Sequence, residues 1–280
     1  MLRSVLKRAF HEWQAAIDRL IPLFLHKSSW VFELPFIRDF SEYQMKCFVC
    51  IERKFYNLLN NEPRYFILKL PNFPKNLEAM VIVCYCLELL SNCVFEYALF
   101  DEVVFNPEMI NILFNNDKTI PLQFHIQKPI IFPNYNTFDY IWNFVSDHLI
   151  ISEYLTINLD NIYNANTLFY ILTNEGNKLP KILLRNIKLV ELYDDIVEYV
   201  SKSKDCSKVV PAIYIEYLFP YFKLSRRAKK VKTKKSTNLK TTNYEITNIY
   251  NPKLRYSFCN LERRREFGWT FYVIIRKIKE

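Results

Sequence analysis

Cys47-Phe-Val-Cys50 carries the C-x-x-C spacing used by zinc sites and dithiol redox centres, and Cys84, Cys86 and Cys93 follow downstream. Two thiolates share a metal only if a turn brings both sulfurs to one side. KCFVCIE (46–52) reads as a strand instead, on which positions 47 and 50 point to opposite faces, and no histidine is close in sequence. Buried structural cysteines are the reading this supports. His11, His26, His125 and His148 are too scattered to form a ligand pattern. His148 follows Asp147 in a helical stretch, where sequence neighbours do not face each other, and reads as a helix-surface or helix-end residue. Cys206 beside Asp205 pairs a nucleophile with an acid, but a reactive thiol needs a positioned base and an electropositive pocket. Glu191, Asp194, Asp195 and Glu198 read as a solvated helix face. No catalytic or metal-ligating set is assigned, no cofactor is expected, and the chain is read as no enzyme.

The other chemically distinctive stretch is KLSRRAKKVKTKKSTNLK (223–240), with nine Lys or Arg and no acid. The whole chain has 38 Lys and Arg against 29 Asp and Glu; without those nine, 29 cations face 29 acids. The net charge of +9 therefore belongs to one segment. Arg226, Arg227, Lys229, Lys230, Lys232, Lys234 and Lys235 form a candidate basic patch: KKVK at 229–232 fits a short nuclear-localisation pattern, and such a run can neutralise several phosphates. No aromatic residue lies between 223 and 240, so base stacking from within the run is absent. The structural alternative makes AKKVKTKK an irregular strand, with Ala228 and Val231 toward the body and the lysines in solvent.

The elements that position these residues come from composition and periodicity. Half of the 280 residues are apolar, enough for a sizeable core. The two glycines, Gly176 and Gly268, exclude phosphate-cradling loops built on repeated glycine. Seven widely spread cysteines fit a reducing compartment. The most apolar run, AMVIVCYCLELL (79–90), includes Glu88 and falls short of the roughly 20 residues that span a bilayer, so no membrane partner is expected.

Residues 1–44 read as an N-terminal helix and a connecting segment, with Trp13, Ala16 and Ile17 at helical spacing. Residues 45–280 read as one βα repeat-like domain. KCFVCIE and YFILKL (65–70) suggest a hairpin. A helix is expected at 76–92, capped by Asn76, with Leu77, Met80, Val81, Leu87 and Leu90 buried. A β-type run follows within 95–104, and NPEMINILF then opens a helix with Asn106 as cap and Pro107 at its first position. LQFHI (122–126), LTINL (155–159), ILLRNI (182–187) and AIYIEYL (212–218) read as strands. Between them, 137–150, 166–176 and 189–202 read as helices, with Gly176 just past a helix end. Repeated βα units of this kind stack into a parallel sheet, spaced more widely and less regularly than leucine-rich repeats of about 20–29 residues. The fold class expected is α/β: an irregular leucine-rich-repeat-like βα solenoid, parallel sheet on one face and helices on the other. The last strands, in about 243–280, are expected to cap it with a β-hairpin turning at ERRREFG. Leu155, Ile157 and Leu159 should face the helices, and Thr156 and Asn158 the exposed sheet face.

Particular phrases add a resemblance. LPNFPKNLEAMVIV (70–83), FNPEMINILFNNDKTIPLQFHI (105–126), ILTNEGNKLPKILLRNI (171–187), SKDCSKVV (203–210) and TNYEITNIYNPKLRYSFCNLE (242–262) resemble the body of a large nematode family, expanded in plant-parasitic species, of F-box-type proteins with a leucine-rich-repeat-like C-terminal region. The resemblance implies a substrate-recruiting subunit whose F-box binds the Skp adaptor of a ubiquitin ligase while the body holds a target protein. Here the body begins almost at once and FELPF (32–36) reads as a loop, so a Skp-type adaptor is expected only if an F-box is encoded upstream.

The function expected from all this is a non-catalytic protein-interaction scaffold for an unknown target, contacting it through Thr156, Asn158, Arg185, Tyr214 and Glu216 on the exposed sheet face. The alternative is nuclear or nucleic-acid association through the basic stretch 226–235. The expected location is cytoplasmic, nuclear or both.

Overall fold

The architecture comes from a computed structural model of the chain, which describes residues 2–26, 49–53, 64–68, 70–101, 103–114, 122–134, 136–159, 165–187, 191–217, 224–265 and 268–278. The elements are α1 (Leu2–Asp18), β1 (Phe24–His26), β2 (Val49–Arg53), β3 (Arg64–Leu68), α2 (Leu77–Ser91), β4 (Val94–Asp101), β5 (Val103–Phe105), α3 (Pro107–Phe114), β6 (Phe124–Phe132) and α4 (Phe138–His148). They continue with β7 (Leu149–Ile151), β8 (Leu155–Asn158), α5 (Ala165–Asn174), β9 (Ile182–Ile187), α6 (Glu191–Lys202), β10 (Ala212–Tyr217), β11 (Lys229–Lys235), β12 (Leu239–Thr247), β13 (Arg255–Arg265) and β14 (Gly268–Lys277). The chain divides into two compact units: Met1–Cys93 with Val103–Phe124 and Tyr140–His148, and Val94–Glu102 with His125–Asp139 and Leu149–Glu280.

In the first unit α1, α2 and α3 pack on one another. Trp13 and Ala16 are buried, and the Trp13 indole N–H donates to the Ile112 carbonyl at 3.1 Å. Asn76 caps α2 by accepting from the Ala79 N–H at 2.8 Å, and Asn106 caps α3 by accepting from the Glu108 N–H at 3.0 Å. Such caps stabilise a helix by about 1 kcal/mol. The buried stripe of α2 is Met80, Val83, Leu87 and Leu90; Val81, expected inside, is 48 % exposed. β2 and β3 pair antiparallel as a hairpin does. His148 ends α4 but is buried, not on the surface, and its Nδ1–H donates to the Leu122 carbonyl at 2.9 Å. Cys47, FELPF and the expected boundary near residue 44 lie outside the described residues.

The second unit is built on a ten-stranded mixed sheet in the order β11-β12-β13-β14-β10-β9-β8-β6-β4, with β7 beside β6. β4, β6, β8, β9 and β10 run parallel. β14 then adds antiparallel to β10, and β13, β12 and β11 follow as an antiparallel meander. The expected leucine-rich-repeat-like solenoid is corrected by this topology. In a stacked array each unit adds beside the one before it, which would put β11 next to β10. Instead the chain crosses to the far edge and returns strand by strand, closing on β10 with its last strand. The stretch expected as a terminal cap, 243–280, holds most of β12 with β13 and β14, three strands of the sheet itself; β13 and β14 pair antiparallel as the expected hairpin does, and the pairing extends through most of ERRREFG.

One side of this sheet is a core. Leu155, Ile157, Ile182, Leu184, Ile213 and Ile215 are at most 1 % exposed, as are Leu168, Ile171 and Leu172 of α5 and Leu192, Ile196 and Val200 of α6. Each such burial stabilises by roughly 1.5–3 kcal/mol relative to exposure. α6 also packs on β12. There the Tyr193 and Tyr244 hydroxyls bond each other, and the Phe258 ring stacks on Tyr244 at 5.0 Å and meets Tyr193 edge-on at 6.3 Å. Burial raises both phenols above their ordinary pKa. Asn248, 1 % exposed, ties the end of α6 to the β12–β13 connection: its amide donates to the Val200 and Ser203 carbonyls at 3.0 and 2.8 Å and accepts from the Tyr250 and Asn251 N–H groups. Gly176 follows α5 for a reason other than a helix cap. A Cβ there would meet the Val209 carbonyl oxygen at 2.3 Å, and its N–H donates to the Lys208 carbonyl at 2.7 Å.

Candidate functional site

Residues paired across neighbouring strands share a face. Because Ile213, Ile215 and Tyr217 point into the core, Tyr214 and Glu216 point to the opposite side of the sheet. From Tyr214 the register runs toward β4 through Leu183, Thr156, Ile130 and Leu99, an apolar row. In the other direction it runs through Ile274, Cys259 and Asn243 to Lys232, ending on the lysine edge.

That edge is β11, KKVKTKK, every residue of which is exposed. Lys232 and Lys234 pair with Asn243 and Thr241 on this open side, while Thr233 pairs with the buried Thr242 on the other. Between Lys229 and Lys232 the register slips: Lys229 faces Glu245 and Lys232 faces Asn243, so Lys230 and Val231 share the place opposite Tyr244. Lys230 takes the left-handed conformation, φ 53°, and its Nζ donates to both Glu245 carboxylate oxygens at 3.1 and 2.9 Å. Val231, expected toward the body, is 43 % exposed.

Between β11 and β14 lies a shallow groove of about 680 Å³, lined among others by Lys230, Lys232, Asn243, Cys259, Ile274 and Arg276. Burial pushes the Cys259 thiol above its ordinary pKa, with Arg276 opposing, so an uncharged thiol lies beside Ile274, while Glu245, held by Lys230, also lines the groove. Beside it cations are held by rings. Lys181 Nζ lies 4.7 Å from the Tyr154 ring centroid and 4.9 Å from that of Tyr214. The Arg276 guanidinium sits 5.4 Å from the Tyr214 centroid, and its Nη2 donates to the Tyr214 hydroxyl. An aromatic face restrains a cation through its quadrupole without cancelling its charge. Lys128 shows the contrast: it lies 4.9 Å from the Tyr97 centroid but also 3.1 Å from Glu96 and 3.6 Å from Glu153, and the Glu96 contact foremost raises its pKa.

The structure thus brings candidate residues of both sets onto the open side of one sheet, Lys232 and Lys234 among the basic ones, while Lys235, paired to Lys240, falls on the side of Thr233. Thr156, Asn158, Arg185, Tyr214 and Glu216 all belong to the open side, with Asn158 paired to Arg185 and Glu216 accepting from the Tyr272 hydroxyl at 3.1 Å. Thr156 is only 1 % exposed, between Ile130 and Leu183, and cannot be a contact. Arg226 and Arg227 are exposed in the turn before β11, and Lys229, Lys230, Lys232, Lys234 and Lys235 lie on it. Sequence reasoning missed Lys181, Ile274, Cys259 and Arg276. Arg276 stands 62 positions from the tyrosine it contacts. The available signal was the alternation in TFYVIIR, whose Thr270, Tyr272, Ile274 and Arg276 share one face. Cys206 is 3 % exposed and burial raises its pKa, the reverse of an activated nucleophile. Among the described residues no group of three or more His, Cys, Asp or Glu is placed to hold a metal, and no helix is long and apolar enough to cross a membrane.

Fold and site together define a mixed α/β protein whose large sheet has one core side and one open side with a basic edge. Residues 4–160 match the domain of unknown function DUF8381, and the protein belongs to that family; β9 to β14 lie beyond the matched span. No curated protein matches the chain. Among solved structures the chain is similar to an S-adenosylmethionine-dependent methyltransferase from Clostridium acetobutylicum ATCC 824, at 13 % identity over 71 % of this chain and 73 % of that one, with a TM-score of 0.16. The expectation of a non-catalytic interaction scaffold is withdrawn with the solenoid it rested on, and the reading of the chain as no enzyme is withdrawn as well. At that TM-score the likeness carries no activity over to this chain.

Proposed function

We propose that the protein binds polyanions along the lysine edge of its sheet and the open face beside it. The carrying observation is β11, an edge strand with five lysines, all exposed, within the stretch that supplies the chain's entire net charge. Glu245 and Glu262 engage Lys230 and Lys240 in surface pairs, and solvent-exposed pairs of this kind contribute about 0–1 kcal/mol each. A polyanion therefore displaces them at small cost. Lys181 and Arg276 extend the positive surface inward, since among the described residues neither has a carboxylate within ion-pair distance. A cytoplasmic or nuclear location is part of this proposal, and fractionation of cells expressing the tagged chain checks it.

The test is binding of inorganic polyphosphate across a salt series. Each neutralised phosphate contributes about 0.7 to the slope of log affinity on log salt for a flexible strand, so five lysines predict a slope of roughly −3 to −4. Replacing Lys229, Lys230, Lys232, Lys234 and Lys235 with Gln should flatten it toward zero. A salt-independent interaction, or a slope unchanged in the variant, would remove the proposal.

A further inference from the structure

We infer that the groove between β11 and β14 seats a base of a single-stranded nucleic acid, with its flanking phosphates on the cations at either side. The inference rests on the polyanion reading and names the ligand class.

Three observations carry it. The first is the profile of the groove: from β11 to β14 is three strand spacings, about 14 Å at the usual separation. Lys230 and Lys232 stand at one rim and Ile274 and Arg276 at the other; Asn243 and Cys259 lie on the row from Lys232, and Glu245, held by Lys230, and Ser257 lie on the row that ends at Arg276. A structureless polyanion makes no use of an uncharged row, whereas a nucleotide chain alternates a flat, weakly polar ring with charge. The second is the state of the cations. Lys181 and Arg276 are pinned against Tyr154 and Tyr214, so their side-chain freedom is already spent while their charge stays available. The third concerns duplexes, which a two-stranded β-ribbon reads by entering the major groove. The β11–β12 hairpin is not free to do so, because β12 is paired along its whole length, Leu239–Thr247, with β13. Bases already unstacked are what this face can meet.

An acidic peptide added to the edge of β11 is the rival occupant, and the experiment includes it. Binding is measured at one low salt concentration for an oligo(dT) of about 12 nucleotides, an abasic strand of equal length, a duplex of equal length, polyphosphate and poly-glutamate. The oligo(dT) should bind at least about tenfold tighter than the abasic strand, as withdrawing about 60 Å² of ring surface from water over Ile274 and Cys259 implies. Cys259→Leu, which fills the groove without touching its charge, should bring oligo(dT) down to the abasic level and leave polyphosphate unchanged. Ile274→Thr, which keeps strand propensity but removes apolar surface, should act the same way and stands in if the first variant folds poorly. If the abasic strand or polyphosphate matches oligo(dT), the base-binding inference falls and polyanion binding survives. Poly-glutamate or duplex binding more tightly than oligo(dT) also overturns it. If nothing in the panel binds, both readings fall together.

Discussion

The parallel and antiparallel halves of the sheet share one core side and differ on the other. From β4 to β9 the open row is Leu99, Ile130, Thr156 and Leu183; from β14 to β11 it moves from Ile274 through Cys259 and Asn243 to lysine. The parallel half comes from chain that returns through α5 and α6, whose buried faces lock the order of β8, β9 and β10. The antiparallel half comes from chain with no room for helices, and its outermost strand has no buried side chain at all. Stability and charge therefore occupy different parts of one sheet. Substitutions in the first should change folding, and substitutions at the edge should change binding alone.

The largest effect expected on stability is at Gly176. Gly176→Ala drives a Cβ into backbone that cannot turn aside as a side chain would, and should cost roughly 3 kcal/mol or more, seen as a lowered midpoint in denaturant. Asn248→Ala comes next, leaving the Val200 and Ser203 carbonyls without their donor; about 2–3 kcal/mol is expected by thermal or chemical unfolding. It also sharpens the comparison, since it loosens the tie between the meander and the end of α6 while leaving the lysine edge intact.

What the sequence made legible divides along the same line. The strands 155–158, 182–187 and 212–217 and the helices between them follow from local periodicity, as do the caps at Asn76 and Asn106. The order of strands does not, because the neighbour of β10 is the last strand of the chain and no local pattern encodes a partner that distant. The same blindness hid the site: Tyr214 was singled out, but the Arg276 and Lys181 that make it part of a charged row come from elsewhere in the chain. Thr156 was placed on the correct face by alternation, yet its burial depends on the width of its neighbours on β6 and β9.

A smaller effect is expected from pH. Burial raises the phenol pKa of Tyr193, Tyr244 and Tyr256, all beneath the antiparallel half. The folded state holds these protons more tightly than the unfolded state, so this contribution is complete below about pH 10, the ordinary tyrosine value, and is lost as pH rises above it. Unfolding midpoints followed from pH 8 to 11 should fall at the alkaline end, and a Tyr193→Phe/Tyr244→Phe double variant should fall less. The smallest effect on stability belongs to the edge itself. Changing the five β11 lysines to Gln should move stability within about 0.5 kcal/mol while abolishing polyphosphate binding. An unfolding midpoint that dropped as far as that of Asn248→Ala would break the separation between the two halves.

The register slip at Lys230 has a consequence for which charges stand together. On an unbroken strand alternate residues share a face, so Lys229 would stand with Val231, Thr233 and Lys235. Here Lys230 and Val231 share one place in the ladder, the alternation changes parity, and Lys229 before the slip comes to the same side as Lys232 and Lys234 after it. One supernumerary residue thus sorts lysines onto one side of an edge strand, an arrangement that counting lysines in the sequence would never reveal.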